Sequence, residues 1–454
     1  MSDLDRSRPP ARGTFKDFDF PAVDRRKLST GLDLRVAQLH RLPVVSLNLF
    51  MRAAESALGP DAAGLAVATA DTLEGGTKKR SGSALAEALE GIGARFSASA
   101  GWEGTSLSLS CLADRLPEAL AVVAEAVLTP GFPEAEVARV REQQLAAIRQ
   151  RLMDPGSLAT DSANQRFFAD GVPYGRRVEG GAESVQALGP KGMTGWAEAN
   201  YRPGRGGLVV AGDVDPGEVE AMVLEHFGEW TGEPANLPDF EVRPRTRERR
   251  IRVIHRPGSV QSEIRIGHVG TTRSDRHYYA LSIANMVLGG MFTSRLNLNL
   301  REKHGFTYGV RSRFTLRTSP GPFRVSTAVG NDVTAPAVRE IMHELTRMAD
   351  EGPTEEEVVA ARDYAAGIFG LQLETAGQVA TRVSQLVVYG LPDDHFDEYR
   401  ERIRSVDVAA AKEAAGVHIR PEEAQIVLVG DADAVAGDLE ALDLGPVEIV
   451  RPEE

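Results

Sequence analysis

The chain has 454 residues, 42% of them hydrophobic, enough for two or more cored domains, which excludes a disordered or fibrous polypeptide. A formal net charge of -13 and a pI of about 5.4 exclude a protein that tracks nucleic-acid phosphates. The single cysteine, Cys111, makes no internal disulfide, and no apolar run reaches membrane-spanning length, so no membrane association is expected.

Residues 1–20 are polar and contain prolines, with no apolar stretch of the kind a signal peptide needs. They are expected to form a mobile arm on a cytoplasmic protein. A turn at Thr30 and Gly31, alternating residues over 32–39, a break at 41–43 and a second run over 44–52 predict a β-hairpin. Helices are predicted over 62–73, stopped by Gly75 and Gly76, and over 83–92. Strands follow over 96–100 and 105–112, where Leu107, Leu109 and Cys111 alternate with serines. Two helices, 116–128 and 134–152, run up to a break at Asp154 and Pro155. Residues 156–200 read as helices with loops, 208–212 as a short buried strand and 216–227 as a helix.

Over 233–252 the apolar periodicity lapses, and three prolines and six arginines accumulate. This stretch is read as a solvated linker over 236–252 between domains at 21–235 and 253–454. Further on, Leu296, Leu298 and Leu300 run without a turn residue into Arg301, Glu302, Lys303 and His304, which favours the end of a helix stopped by Gly305. Phe306, Tyr308 and Val310 then alternate with Thr307, Gly309 and Arg311, the period of a half-buried strand. Arg301 is therefore expected to close a helix and Tyr308 to open a strand.

The second half repeats the first. ADTLEGGT at 70–77 aligns with ANMVLGGM at 284–291, LEGIGARF at 89–96 with REKHGFTY at 301–308, and PEAEVARVREQQLAAI at 133–148 with TEEEVVAARDYAAGIF at 354–369. The offsets of 214, 212 and 221 keep one order, the mark of a duplicated domain. The expected fold is α+β: two homologous domains, each a largely antiparallel sheet with helices on one face, able to enclose a space between them.

Chemistry is sparse on spacing alone. Nine histidines are present and no two are four apart, so no helical zinc pair is formed. There is no GxSxG elbow, P-loop or dinucleotide fingerprint, and the Gly289–Gly290 pair reads by itself as a helix stop. Glu355 and Glu357 fit a helix start, where capping explains them. Taken alone, Arg301 suits the C-terminal end of a helix dipole and Tyr308 a packed strand aromatic.

The order of GLAVATADTLEGGT at 64–77, GVPYGRRVEG at 171–180, YRPGRGGLVVAGDVDP at 201–216 and LNLNLREKHGFTYGV at 296–310 resembles the insulinase/pitrilysin family of inverzincin metallopeptidases. The likeness is nearest to its bacterial, mitochondrial-processing-peptidase-like branch, in which paired subunits close a chamber. The family's HxxEH falls on Val67, Ala68, Thr69, Ala70 and Asp71, and the distal glutamate region on 144–148 has no acidic residue. The resemblance thus implies that Val67, Ala70 and Asp71 are degenerate zinc positions, that this chain has no cofactor of its own, and that zinc sits in a homologous partner subunit bearing HxxEH.

The family's second-domain Arg and Tyr match Arg301 and Tyr308, where the first repeat has Leu89 and Phe96. By resemblance these two reach the peptide substrate held at the partner's zinc, as catalytic and substrate-binding groups, with Gly289 and Gly290 as further substrate contacts. A guanidinium and a phenol suit a carbonyl oxygen that gains negative charge. The linker would serve as the hinge that opens the chamber. The alternative is a catalytically inactive scaffold or peptide-binding protein of the same fold.

Overall fold

The computed structural model describes residues 18–451, so the arm expected over 1–20 lies outside the described residues as far as residue 17. Phe18 and Phe20 already pack against Phe369, with ring centroids 6.2 and 6.4 Å away.

The first half runs β1 (Val23–Lys27), β2 (Asp33–Gln38), β3 (Val44–Met51), α1 (Leu65–Asp71), α2 (Gly82–Glu90), β4 (Arg95–Ala100), β5 (Thr105–Leu112), α3 (Leu116–Leu128), α4 (Glu134–Met153), α5 (Pro155–Phe167), α6 (Ala182–Gln186), α7 (Pro190–Asn200), β6 (Gly207–Gly212) and α8 (Pro216–Phe227). The second runs β7 (Arg250–His255), β8 (Gln261–Val269), α9 (Tyr278–Asn285), α10 (Arg295–Asn297), β9 (Arg311–Phe314), β10 (Pro322–Gly330), α11 (Thr334–Glu351), α12 (Glu355–Leu371), α13 (Ala376–Tyr389), α14 (Tyr399–Arg404), α15 (Val408–His418), β11 (Gln425–Gly430), α16 (Ala432–Glu440) and β12 (Val447–Val450).

Each half builds one mixed six-stranded sheet, ordered β1-β2-β6-β3-β5-β4 in the first and β12-β7-β11-β8-β10-β9 in the second. From the second strand inwards the two orders correspond strand for strand, as a duplication requires. Only the outermost strand differs, supplied by the start of the chain in one sheet and by its end in the other. The hairpin expected from 32–52 does not form. Strand β6 lies between β2 and β3, parallel to the first and antiparallel to the second. GLVVAG has every residue buried, so it belongs in the middle of a sheet covered on both faces, where it separates its two sequence neighbours.

One face of each sheet takes helices of its own half, in cores around Leu47, Leu109 and Leu120 or Ile266, Val325 and Ile341. The other face takes a helix from the opposite half. Ala159, Ala163 and Phe167 of α5 pack on Val427 and Val429 of β11, while Val379, Val383 and Leu386 of α13 pack on Val209 and Ala211 of β6. Close approach needs bare backbone: a Cβ on Gly207 would come within 2.7 Å of Val387, and one on Gly267 within 2.9 Å of Phe167. This exchange buries both outer faces, and the two halves form one body.

The Pro- and Arg-containing segment between the halves is strapped down rather than looping free. Ala169 donates to the Arg243 carbonyl at 2.9 Å, the Phe240 ring meets Tyr174 edge-on at 5.3 Å, Arg245 pairs with Asp170 and Arg247 with Glu423. Its last residues, from Arg250, already belong to β7, because Ile251 and Val253 alternate into the core.

Candidate functional site

Helix α9 loosens at its end into wide turns over Met286–Gly290, and a second wide stretch, Leu298–Lys303, continues α10. Such turns occur mostly as single insertions in α-helices and often at functional sites. Gly289 is held against strand β9, and a Cβ there would stand 2.5 Å from the Ser312 nitrogen, so its bare backbone is a packing requirement. Gly290 is exposed.

The second stretch is anchored at its root. Arg295 is buried and forms a fork with Glu357, two bonds of 2.7 Å, and donates to the Gly352 carbonyl at 2.9 Å. Leu296 and Leu300 fill the core behind it. Glu357 also caps α12 through the Thr354 amide at 2.7 Å, as the sequence suggests. Arg301 then emerges on the open side, its guanidinium 4.6 Å from the centre of the Phe292 ring and 3.4 Å from Glu302.

Tyr308 does not open a strand. After Gly305, at φ +66°, residues 306–310 form a bend and β9 begins only at Arg311. The ladder partners are replaced by side chains: Val310 donates to Asn297 Oδ1 at 3.1 Å, Gly309 to Thr307 Oγ1 at 3.1 Å, and Thr327 donates to the Gly309 carbonyl at 3.0 Å. With its backbone satisfied this way, the segment stands away from the sheet, and Tyr308 is 97% exposed.

Arg301, Tyr308, Gly289 and Gly290 line one cavity of about 690 Å³. Asn285, Phe292 and Tyr364 join them, three residues that the spacing alone did not single out. The signal that could have found Tyr364 is the internal repeat, which sets an exposed aromatic where the first copy has Gln143. The larger cavity of about 1110 Å³ is the first-half counterpart, lined by Leu89 and Phe96 at the equivalent positions. Neither side chain can donate a hydrogen bond, so at these two equivalent positions only the smaller cavity offers donors, Arg301 and Tyr308, to a peptide carbonyl.

The degenerate zinc positions lie on α1. Val67 and Ala70 are buried and offer no lone pair. Asp71 meets solvent along one edge, yet surrounding protein and the carboxylates of Glu74 and Glu179 push its pKa up to about 6. On the facing helix α4, Gln144 turns its amide to the carbonyls of Gly64 at 3.3 Å and Glu179 at 2.6 Å. Among the described residues, no convergent set of three potential ligands includes Val67, Ala70 or Asp71. These residues do not fit a zinc ion.

Comparison with known proteins agrees with this architecture. Residues 59–169 match the family described as Insulinase (Peptidase family M16), and residues 191–364 match Peptidase M16 inactive domain. An uncharacterized zinc protease of Mycobacterium leprae is 28% identical over 364 residues, covering 80% of this chain and 82% of the relative. A Streptomyces coelicolor uncharacterized zinc protease is 28% identical over 339 residues, 73% of each chain. A peptidase M16 inactive domain of Pseudomonas fluorescens superposes with a TM-score of 0.84 at 26% identity, covering 90% of this chain and 98% of that one. A Helicobacter pylori protease shares the fold, with a TM-score of 0.83 at 17% identity over 90% of this chain and 99% of that one. Two duplicated α+β halves, the alignments across both of them and the matching solved fold together place the chain in the insulinase family, peptidase family M16.

Proposed function

We propose that this chain is the subunit of a heterodimeric zinc metallopeptidase that binds no metal at the HxxEH position. Its homologous partner carries HxxEH and the zinc, and this chain lends Arg301 and Tyr308 to the peptide bound there. The observation that carries the reading is the pairing of an α1 that keeps Asp71 alone as a metal-binding side chain at the HxxEH positions with a cavity into which Arg301, Tyr308 and the exposed Gly290 open together. The mycobacterial and streptomycete relatives are named zinc proteases; the side chains at Val67 and Ala70 separate this chain from any role that holds zinc on α1.

The chemistry follows from the side chains. Arg301 is a permanent cation backed by the Phe292 face, and the Tyr308 side chain stands exposed, with nothing packed over it among the described residues. Both are free to donate to a substrate carbonyl oxygen as the attacking water turns it into an oxyanion, and one such donor is worth about 3 kcal/mol in the transition state. Gly290 leaves room for an extended peptide backbone beside them.

The test is co-expression with the homologous HxxEH chain. A stable complex with chelator-sensitive peptidase activity is expected, lowered about 100-fold by Arg301→Ala with assembly unchanged. Cleavage by this chain alone, or full activity of the Arg301→Ala complex, refutes the proposal. The second outcome favours a scaffold or peptide-binding role, consistent with Val67 and Ala70 at the HxxEH positions.

A further inference from the structure

Away from the cavity, at the opposite end of α9, the 271–277 segment and the last residue of α15 bring Asp275, His277 and His418 together. His277 Nδ1 and His418 Nε2 are 3.0 Å apart, and Asp275 Oδ1 lies 3.6 Å from the former and 3.4 Å from the latter. Ligands bound tetrahedrally to zinc at ~2.0–2.2 Å stand ~3.3–3.6 Å from one another. The two distances to Asp275 match one face of such a tetrahedron, and the two ring nitrogens, at hydrogen-bond separation, need move apart by only ~0.3 Å to complete it.

We propose that Asp275, His277 and His418 form a binding site for one divalent transition-metal ion of the zinc class. Asp275 Oδ1, His277 Nδ1 and His418 Nε2 are its ligands, and solvent fills the fourth corner. Nitrogen donors with one carboxylate select such an ion over magnesium or calcium, which prefer all-oxygen shells.

The surroundings orient these atoms inward. His277 Nε2 donates to Glu413 at 3.2 Å, which leaves the Nδ1 lone pair facing the other two ligands. Asp275 is fixed at both oxygens, by the Thr271 hydroxyl and by the His277 amide at 2.8 Å. All three ligand side chains are largely shielded, at 13%, 17% and 8% exposure for His277, Asp275 and His418.

The contrast with the other convergent set is instructive. His255 stands beside Asp431 and Asp433, but its Nδ1 already accepts the Ala432 amide at 3.1 Å, and Asp433 pairs with Arg451. That group is a helix cap. Nor does the duplicated fold demand histidines at the first site. In the first copy, α7, the counterpart of α15, ends in Asn200, and 55–64, ahead of α1, contains none. A bound ion would clamp the start of α9 to the end of α15, and the far end of α9 carries Gly289 and Gly290.

The isolated full chain, stripped with a chelator, is titrated with Zn²⁺ and separately loaded with Co²⁺, so that no partner's ion is counted. One equivalent per chain, a raised melting temperature and the strong visible band of tetrahedral cobalt are expected. His277→Gln and His418→Gln should each lose at least about tenfold in affinity, and Glu413→Gln, which is no ligand but orients His277 and pairs with Arg276, about tenfold as well. The exposed Glu413 keeps the test valid if a histidine variant fails to fold. A wild-type chain that takes up no stoichiometric metal, a histidine variant that keeps the wild-type affinity, or a weak octahedral cobalt spectrum overturns the site and leaves a hydrogen-bonded histidine pair only.

Discussion

The fork between Arg295 and Glu357 is the anchor on which the placement of Arg301 depends, and its energetic weight can be worked out. Arg295 is a buried cation whose three hydrogen bonds, at 2.7, 2.7 and 2.9 Å, end on Glu357 and the Gly352 carbonyl. Removing one partner of a buried pair costs about 3–5 kcal/mol, chiefly because the other is left charged and unpaired. With side-chain exposures of 5% for Arg295 and 28% for Glu357, the guanidinium is the harder of the two to abandon. Arg295→Met, which keeps the stem volume, should cost about 3 kcal/mol, since Glu357 retains the Thr354 amide and some solvent. Glu357→Gln keeps the capping geometry but strands the deeper cation, and should cost as much or more. The double variant should lose about 2–3 kcal/mol less than the sum of the singles. Urea denaturation of the four proteins reads the cycle directly. Additive single losses, or a coupling below about 0.5 kcal/mol, would refute the assignment of a buried, energetically coupled pair.

Tyr308→Phe should leave stability within about 0.5 kcal/mol, because the ring is almost fully exposed. In the two-chain complex the same change should lower kcat by about 100-fold, and equal turnover with unchanged stability would remove the phenol from the mechanism. Two histidines predict an acid limb in stability. Burial and nearby Arg420 lower the His268 pKa to about 3, and burial with Arg273 lowers that of His395 to about 4. His268 accepts the Arg420 amide at 3.1 Å and His395 faces the Arg273 guanidinium at 2.8 Å, contacts that suit neutral rings. Folding therefore favours the unprotonated forms. Their contribution is complete above the ordinary histidine pKa of about 6.5 and is lost as pH falls from there towards about 4 for His395 and about 3 for His268. Unfolding free energies measured between pH 4 and 7 should fall on acidification, and less steeply in His268→Gln. An unchanged slope would assign the acid limb to other groups.

Long elements with one strong period were legible. The helices at 116–128 and 216–227 and the strand at 105–112 end where capping and alternation place them. The grouping of Arg301, Tyr308, Gly289 and Gly290 was also expected, through a family resemblance rather than through spacing. Tyr308 was misplaced locally because alternation over 306–310 looks the same whether backbone groups meet a strand or, as here, the side chains of Asn297, Thr307 and Thr327. The insertion of β6 between β2 and β3 was hidden for a related reason: a fully buried strand carries no mark of its neighbours.

By itself the sequence determined the long periodic elements, the duplication and the presence of Val67, Ala70 and Asp71 at the HxxEH positions, because each follows from residue type or from periods a few residues long. Only the tertiary structure decided which helix covers which sheet, how Tyr308 reaches solvent, and that His277 meets His418, 141 positions further on. Such contacts depend on close approach between segments remote in the chain, and no local period encodes them.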